Sequence, residues 1–270
     1  MTAASLRHNV LRALYWGAVV ALLLPLGLMA LMSLKGGPIV GFPIDQVTVQ
    51  WYAAAFTDRE IAQAFLYSCA VAVASASLAL LAGMWTSLAI AGLASPLLRA
   101  VSFCAACLPI VTPGIISAIS LRMFIELVGL QPGFAAIALG HAAHAAPYVV
   151  VIVGLRLRAM PLYLTEAARG LGATEVRTFL HVTLPWLRPA IGAAAVLALL
   201  ESFDDFLRSF FLGGYRPTLP VLIYGRLFSG LSPEIGAITT LVLLLTVAVG
   251  LCGERLLRRI RQDRAASWTD

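Results

Sequence analysis

Residues 156–188 read RLRAMPLYLTEAARGLGATEVRTFLHVTLPWLR. This is the longest polar connection in a chain otherwise built of apolar runs. Pro161 suits the first turn of a helix, where its missing N–H costs nothing. Residues 162–171 are then predicted to form a short amphipathic helix, with Leu164, Ala167, Ala168 and Leu171 on one face. Gly172 can stop that helix in the left-handed conformation. Thr174 can cap a second run, 175–181, which Leu184 and Pro185 are expected to break. The expected unit is helix, glycine turn, helix. Its alanines allow close approach, and Glu166 offers an acidic head to a partner's arginine.

The flanks of this segment settle the class. The chain has 270 residues, 60% of them hydrophobic and 12% charged, and a mean hydropathy of +0.91. Soluble chains carry about 25% charged residues, so too few are present to cover a water-facing surface of this size. The fold is read as all-α and polytopic, with six transmembrane helices. A span needs about 17–25 mostly apolar residues, and such runs fall within 11–34, 61–92, 99–124, 134–155, 189–212 and 235–253. Residues 218–228 are apolar but too short and read as a re-entrant or interfacial segment. Arg7 and Arg12 precede the apolar run 14–32, which is too long for a signal peptide's core and has no small-residue cleavage site after it. It is read as an uncleaved first span.

Six spans place both termini on one side, and charge chooses the side. Arg7, Arg12, Arg99, the five arginines of 156–188 and the five of 255–264 share the terminal side. Lys35, Arg59, Arg122, Arg208, Arg216 and Arg226 fall on the other. The positive-inside bias puts both termini in the cytoplasm. The net charge of +6 therefore follows the membrane and implies no nucleic acid. The organisation expected is a first span with an outer loop over 1–60, a core over 61–254 and a basic cytoplasmic tail over 255–270.

Glu166-Ala167-Ala168, three residues, Gly172, nine residues, Val182, and then Leu184-Pro185 resembles the EAA loop of permeases in binding-protein-dependent ABC importers. The usual pattern has isoleucine where Val182 stands. The resemblance runs from about residue 62 to 253. It implies a type I importer permease in the bacterial inner membrane, with residues 156–188 as the coupling element. Glu166, Ala167, Ala168, Gly172, Leu184 and Pro185 would seat on the ATPase. It implies two cytoplasmic ATP-binding subunits as partners, a second permease subunit expected to be a homologue, and a periplasmic binding protein. ATP and magnesium would belong to the ATPase partner, with no cofactor on this chain.

Ionisable residues inside a membrane are costly and are functional candidates by default. Glu201, Asp204, Asp205 and Arg208 fall within one face of a continuous helix. Asp204 and Arg208, four apart, could pair and leave Glu201 and Asp205 as a negative patch; the alternatives are a polar path and local pairing. The run Phe203-Asp204-Asp205-Phe206, with Gly213-Gly214, Leu219-Pro220 and Ser232-Pro233-Glu234, resembles the spermidine/putrescine branch of that family. It implies an amine substrate, with another solute, such as an organic anion, as the alternative; Glu201, Asp204, Asp205 and Thr112, polar within the apolar runs, are the candidates for the substrate path. Pro109, Pro113 and Gly114 interrupt the third apolar run, where cavity lining and helix packing remain open.

Other classes lose ground. No GxxxxGK[ST] phosphate loop occurs, so ATP hydrolysis is expected elsewhere. Neither HExxH nor GxSxG occurs. Cys104 and Cys107 form a lone CxxC in an apolar run with no histidine nearby, and buried cysteine usually behaves as a small hydrophobe. His141 and His144 read as an interhelical hydrogen-bonding pair. The rival from another class is an intramembrane enzyme using His141, His144 and Asp205.

Overall fold

The computed structural model describes residues 3–37, 40–44 and 46–266, and side chains within 8–255. The end of the basic tail, 267–270, and the side chains of its arginines from 258 onward lie outside the described residues. Twelve α-helices are described: α1 Ala3–Met32, α2 Gln50–Thr57, α3 Arg59–Gly92, α4 Pro96–Val111, α5 Gly114–Leu127, α6 Phe134–Arg158, α7 Leu162–Gly170, α8 Glu175–Thr178, α9 Leu184–Asp204, α10 Phe206–Leu212, α11 Leu219–Phe228 and α12 Pro233–Ala266.

Five apolar helical stretches are long enough to cross a membrane: His8–Met32, Arg59–Gly92, Phe134–Arg158, Glu175–Asp204 and Pro233–Arg255. A sixth exists if α4 and α5 count together, but they meet at 102°. The expected span 99–124 is therefore not straight. Pro113 lacks an N–H and biases Thr112 to extended backbone, and Thr112 indeed has φ −70° and ψ 127°. The expected span 189–212 is also redrawn. It begins at Glu175 and ends at Asp204, where the chain leaves helical geometry at Asp205 (ψ 91°) before α10. The 218–228 segment is a ten-residue helix, as its length required.

Leu184 and Pro185 do not break the helix that enters α9. A π-helical turn, Phe179–Thr183, joins α8 to α9 without interruption. The Leu184 N–H reaches the Phe179 carbonyl, five residues back. The wider turn carries the chain past Pro185, which lacks a donor and sits in the first turn of α9.

The chain divides into two compact units. One comprises residues 63–222 with 247–270, and its core is a seam of small residues. Ala76 and Ala79 of α3, Ala142, Ala145 and Val149 of α6, and Ala194 and Ala198 of α9 are buried together. Alanine and glycine let helix backbones approach where lipid offers no hydrophobic drive for association. At Gly83 a Cβ would lie 2.6 Å from Val149 Cβ and 2.8 Å from the Ala146 carbonyl oxygen, so only glycine fits this crossing of α3 and α6.

The other unit comprises 1–62 with 223–246. Here α1 is exposed along its apolar length, as a lipid-facing helix requires. After it the chain folds back. The Ser33 and Tyr52 hydroxyls are 2.6 Å apart, and Trp51 Nε1 donates to the Lys35 carbonyl at 2.7 Å. Arg226 binds Asp58 (2.6 Å), Glu60 (2.7 Å) and Glu234 (2.8 Å) in this same unit.

Candidate functional site

The 156–188 segment is built by local chemistry. Pro161 sits at the N-cap of α7, one place before the first turn expected for it. Helix α7 closes at Gly172, whose φ of +83° lies in the left-handed region. The Ala173 N–H bonds the Ala168 carbonyl at 3.0 Å and the Gly172 N–H bonds that of Arg169 at 2.9 Å. Those two bonds define a Schellman stop, for which glycine carries no Cβ penalty. Thr174 then caps α8 by accepting from the Arg177 N–H at 3.3 Å. Glu166, Ala167 and Gly172 are exposed, and Ala168, Leu184 and Pro185 are half-buried. The face expected to hold Leu164, Ala167, Ala168 and Leu171 together is split. Leu164 and Ala168 turn inward, whereas Leu171 is 90% exposed. With Leu162 and Val176 also outside, and Glu166, Arg169, Glu175 and Arg177 exposed beside them, a surface of apolar and mixed-charge side chains faces away from the bundle.

One anchor of this segment was not foreseen. The Arg156 guanidinium lies 4.0 Å over the Trp186 ring. Trp186 Nε1 donates to the Arg156 carbonyl at 3.0 Å, and Arg156 Nε donates to the Trp186 carbonyl at 3.3 Å. This reciprocal lock ties the end of α6 to the start of α9, so both ends of the segment sit on rigid helices. An arginine and a tryptophan thirty residues apart carry no local signal that they meet.

The polar residues beyond it form a buried chain within the same unit. Ser75 on α3 donates to Ser202 on α9 at 2.7 Å. Ser202 Oγ is 2.8 Å from His141 Nδ1 on α6, and His141 Nε2 is 3.2 Å from Ser209 Oγ on α10. Arg208 donates through Nη1 to Asp205 Oδ2 at 2.7 Å, and its backbone N–H bonds Asp205 Oδ1 at 3.0 Å. Arg208 Nη2 reaches Ser117 on α5 at 3.4 Å. Side-chain exposure is 4% for Arg208 and 7% for Asp205.

The pairing therefore differs from the one expected. Arg208 pairs with Asp205, three residues back, and not with Asp204. The i,i+4 rule assumes an unbroken helix, and the helix ends between the two aspartates. Asp205 is the N-cap of α10 and neutralises Arg208. Asp204 is exposed at the last turn of α9, and Glu201 is half-buried one turn earlier. Neither forms an ion pair among the described residues. Thr112 sits at the α4–α5 bend, its hydroxyl bonded to the Leu108 carbonyl at 3.0 Å. His141 and His144 do not bond each other as a pair. His141 joins the serine chain, whereas His144 packs edge-on against Tyr148.

Ser202, His141 and Asp205 bear the residue types of a hydrolytic triad but cannot act as one. Ser202 is 5% exposed and its oxygen is already held by Ser75 and His141. His141 Nε2 lies 3.9 Å from Asp205. No substrate carbonyl can reach the hydroxyl, which a nucleophile requires.

The two chain breaks meet. A Cβ at Gly114, the first residue of α5, would touch Leu207 at 3.0 Å, and Ser117 meets Arg208 one turn further on. Interrupted helices packed against each other in a membrane bundle expose backbone groups where they line a path.

Residues 77–265 match the family described as binding-protein-dependent transport system inner membrane component. The chain belongs to that family. It is 34% identical over 214 residues to the spermidine/putrescine transport system permease protein PotC of Escherichia coli K12, covering 78% of this chain and 80% of that protein. The Haemophilus influenzae PotC is 30% identical, with 77% and 81% covered. The putrescine transport system permease protein PotI of Escherichia coli K12 is 34% identical over 163 residues, 58% of each chain. Among solved structures, a bacterial ABC transporter involved in import of the acidic polysaccharide alginate aligns with a TM-score of 0.73 at 16% identity, covering 94% of this chain and 96% of that one. The methionine transporter MetNI in an inward-facing form aligns at 0.63 with 20% identity, covering 74% and 95%. These two likenesses establish the fold alone, which is all-α. The chain is a membrane transport subunit, not an enzyme, and it serves an assembly with ATPase and binding-protein partners.

Proposed function

We propose that this chain forms half of the path by which an ATP-driven importer moves polyamines, of the putrescine and spermidine class, into the cell. The observation that carries the substrate class is the carboxylate pair Glu201 and Asp204 at the end of α9. The last turn of a helix also presents unsatisfied carbonyls and a partial negative charge, which favours a cation there. A polyamine leaving water needs several such compensations. Weakly held, staged carboxylates supply them without blocking release. The relatives named for spermidine and putrescine transport agree with this chemistry.

Both termini lie in the cytoplasm, so the α7–α8 segment faces two ATP-binding subunits that hold ATP and magnesium. Glu166, Ala167, Ala168 and Gly172 dock on them, with Leu184 and Pro185 leading the segment back into α9. A second permease subunit, a homologue, completes the path, and a periplasmic binding protein delivers the substrate. ATP-driven closure moves α7, and the Arg156–Trp186 lock passes that movement to α6 and α9. The bundle thereby shifts between two access states. A C-terminal alkaline phosphatase fusion should be inactive and a green fluorescent fusion bright; the reverse pattern would overturn the orientation. Labelled putrescine and spermidine uptake in vesicles holding the full complex tests the substrate, with an organic anion as the competing cargo.

A further inference from the structure

A cavity of about 790 Å³ opens between the ends of α3, α4 and α6 and the α7–α8 segment. Arg99, Arg158 and Arg169 line it, and Glu175 is the one carboxylate among its lining residues. Glu175 lies 3.7 Å from Arg169. Arg99 and Arg158 have no carboxylate within ion-pair distance among the described residues; Arg158 instead rests over the Phe103 ring at 5.5 Å. Thr178, also in the lining, is 4% exposed, and its hydroxyl is buried without a hydrogen-bond partner. A buried unpaired hydroxyl is costly, so this one, on the wall of the cavity, calls for a partner. The remaining wall is mostly apolar, with Leu88, Ile90, Val150 and Leu155 along the spans and Ser87, Thr165 and Thr183 as its other polar side chains. Positive charge thus stands beside apolar span residues, with Arg158 at the last residue of α6 and Arg99 in the first turn of α4.

We propose that this cavity holds the phosphate of an anionic phospholipid, with its acyl chains lying along α3 and α6. Arg99 and Arg158 supply the countercharge, and Thr178 donates to a phosphate oxygen. Free phosphate shares the headgroup chemistry but has no use for the apolar wall, and a basic pocket between spans suits a lipid headgroup. Thr165, Arg169 and Glu175 belong to both the cavity wall and the α7–α8 segment. An occupied cavity therefore props that segment, and lipid occupancy sets how firmly it is presented. The assignment to the inner leaflet rests on the orientation proposed above; the phosphate site itself does not.

The test uses the full chain with its co-purifying subunits, exchanged into vesicles of phosphatidylcholine with or without phosphatidylglycerol, then re-extracted and weighed by native mass spectrometry. The wild type should retain phosphatidylglycerol in several-fold preference to phosphatidylcholine. R99Q/R158Q should lose that preference, and T178V should weaken it about threefold. Excess inorganic phosphate should not displace the lipid. Equal retention by R99Q/R158Q and wild type, or no preference in the wild type, would overturn the proposal. Displacement by inorganic phosphate would instead make this a free-anion site and overturn the lipid assignment. Because retention is read by mass and not by transport, a wrong cargo for the importer would leave this result unchanged.

Discussion

Two arginines of this chain, Arg208 and Arg226, both hold carboxylates near helix ends, yet they stand on very different energetic ground. Arg208 is 4% exposed and has one aspartate partner, itself 7% exposed. Arg226 is 23% exposed and has three partners, Asp58, Glu60 and Glu234, at 26%, 63% and 28%. The cluster with more bonds is the weaker one. Water reaches all four of its charges, Glu60 the most and the other three in part, and pairs within reach of water contribute about 0–1 kcal/mol. The buried pair has no such fallback, because removing one partner strands the other charge. Counting ion pairs would rank these regions in the wrong order; burial ranks them correctly.

The largest expected effect is therefore at Asp205. Asp205→Asn strands Arg208 and removes the N-cap carboxylate of α10, and should cost about 3–5 kcal/mol. Thermal unfolding of the detergent-solubilised complex reads this as a large loss of Tm and of yield. D205N/R208M should recover much of it, since the stranded charge is gone. If D205N alone is neutral, the buried pair is not the keystone of the α9–α10 break.

Next comes Gly172→Val. A β-branched residue in the left-handed region costs about 1–2 kcal/mol, here confined to the α7–α8 turn. The variant should insert and assemble normally while uptake falls at least tenfold and ATP hydrolysis no longer responds to substrate. Glu166→Lys, at an exposed position, should uncouple uptake in the same way with no change in Tm. Normal uptake in both would remove the coupling role from this segment.

Arg226→Gln should be the mildest of the structural variants, within about 1 kcal/mol and less at high salt. Its signature is in pH. The hydrogen bond from Arg226 holds Asp58 below its ordinary carboxylate value. A group with a depressed folded pKa stabilises above its unfolded value, about 3.9, and that stabilisation is lost as pH falls through the folded value. The wild type should therefore lose more Tm than R226Q between neutral pH and about pH 3. An equal loss in both would separate Asp58 from Arg226.

The same contrast between local and distant causes explains what the sequence disclosed. Gly172 and Thr174 act on their own backbone, so the α7–α8 unit could be read residue by residue. The lipid-facing runs were legible because 60% hydrophobic residues leave no other solvent. The aspartate pairing was not, because an unbroken helix was assumed through 201–208. An aspartate directly before the Phe- and Leu-rich segment 206–212 is itself an N-cap signal that marks the break. Pro185 misled in the opposite direction, since a π-helical turn absorbs it and nothing local announces a five-residue register. The Ser75–Ser202–His141 chain joins residues up to 127 apart, and no periodicity encodes such a meeting.

The central claim is that Glu201 and Asp204, which form no ion pair among the described residues, carry a cation. The most direct measurement compares labelled spermidine and putrescine uptake by wild type and E201Q/D204N, each in vesicles with the full complex, binding protein and ATP. The double variant should assemble with unchanged Tm, hydrolyse ATP and lose at least tenfold in polyamine uptake. Uptake at the wild-type rate by E201Q/D204N, or a wild type that moves only organic anions, would contradict the cation path and leave only the permease assignment standing.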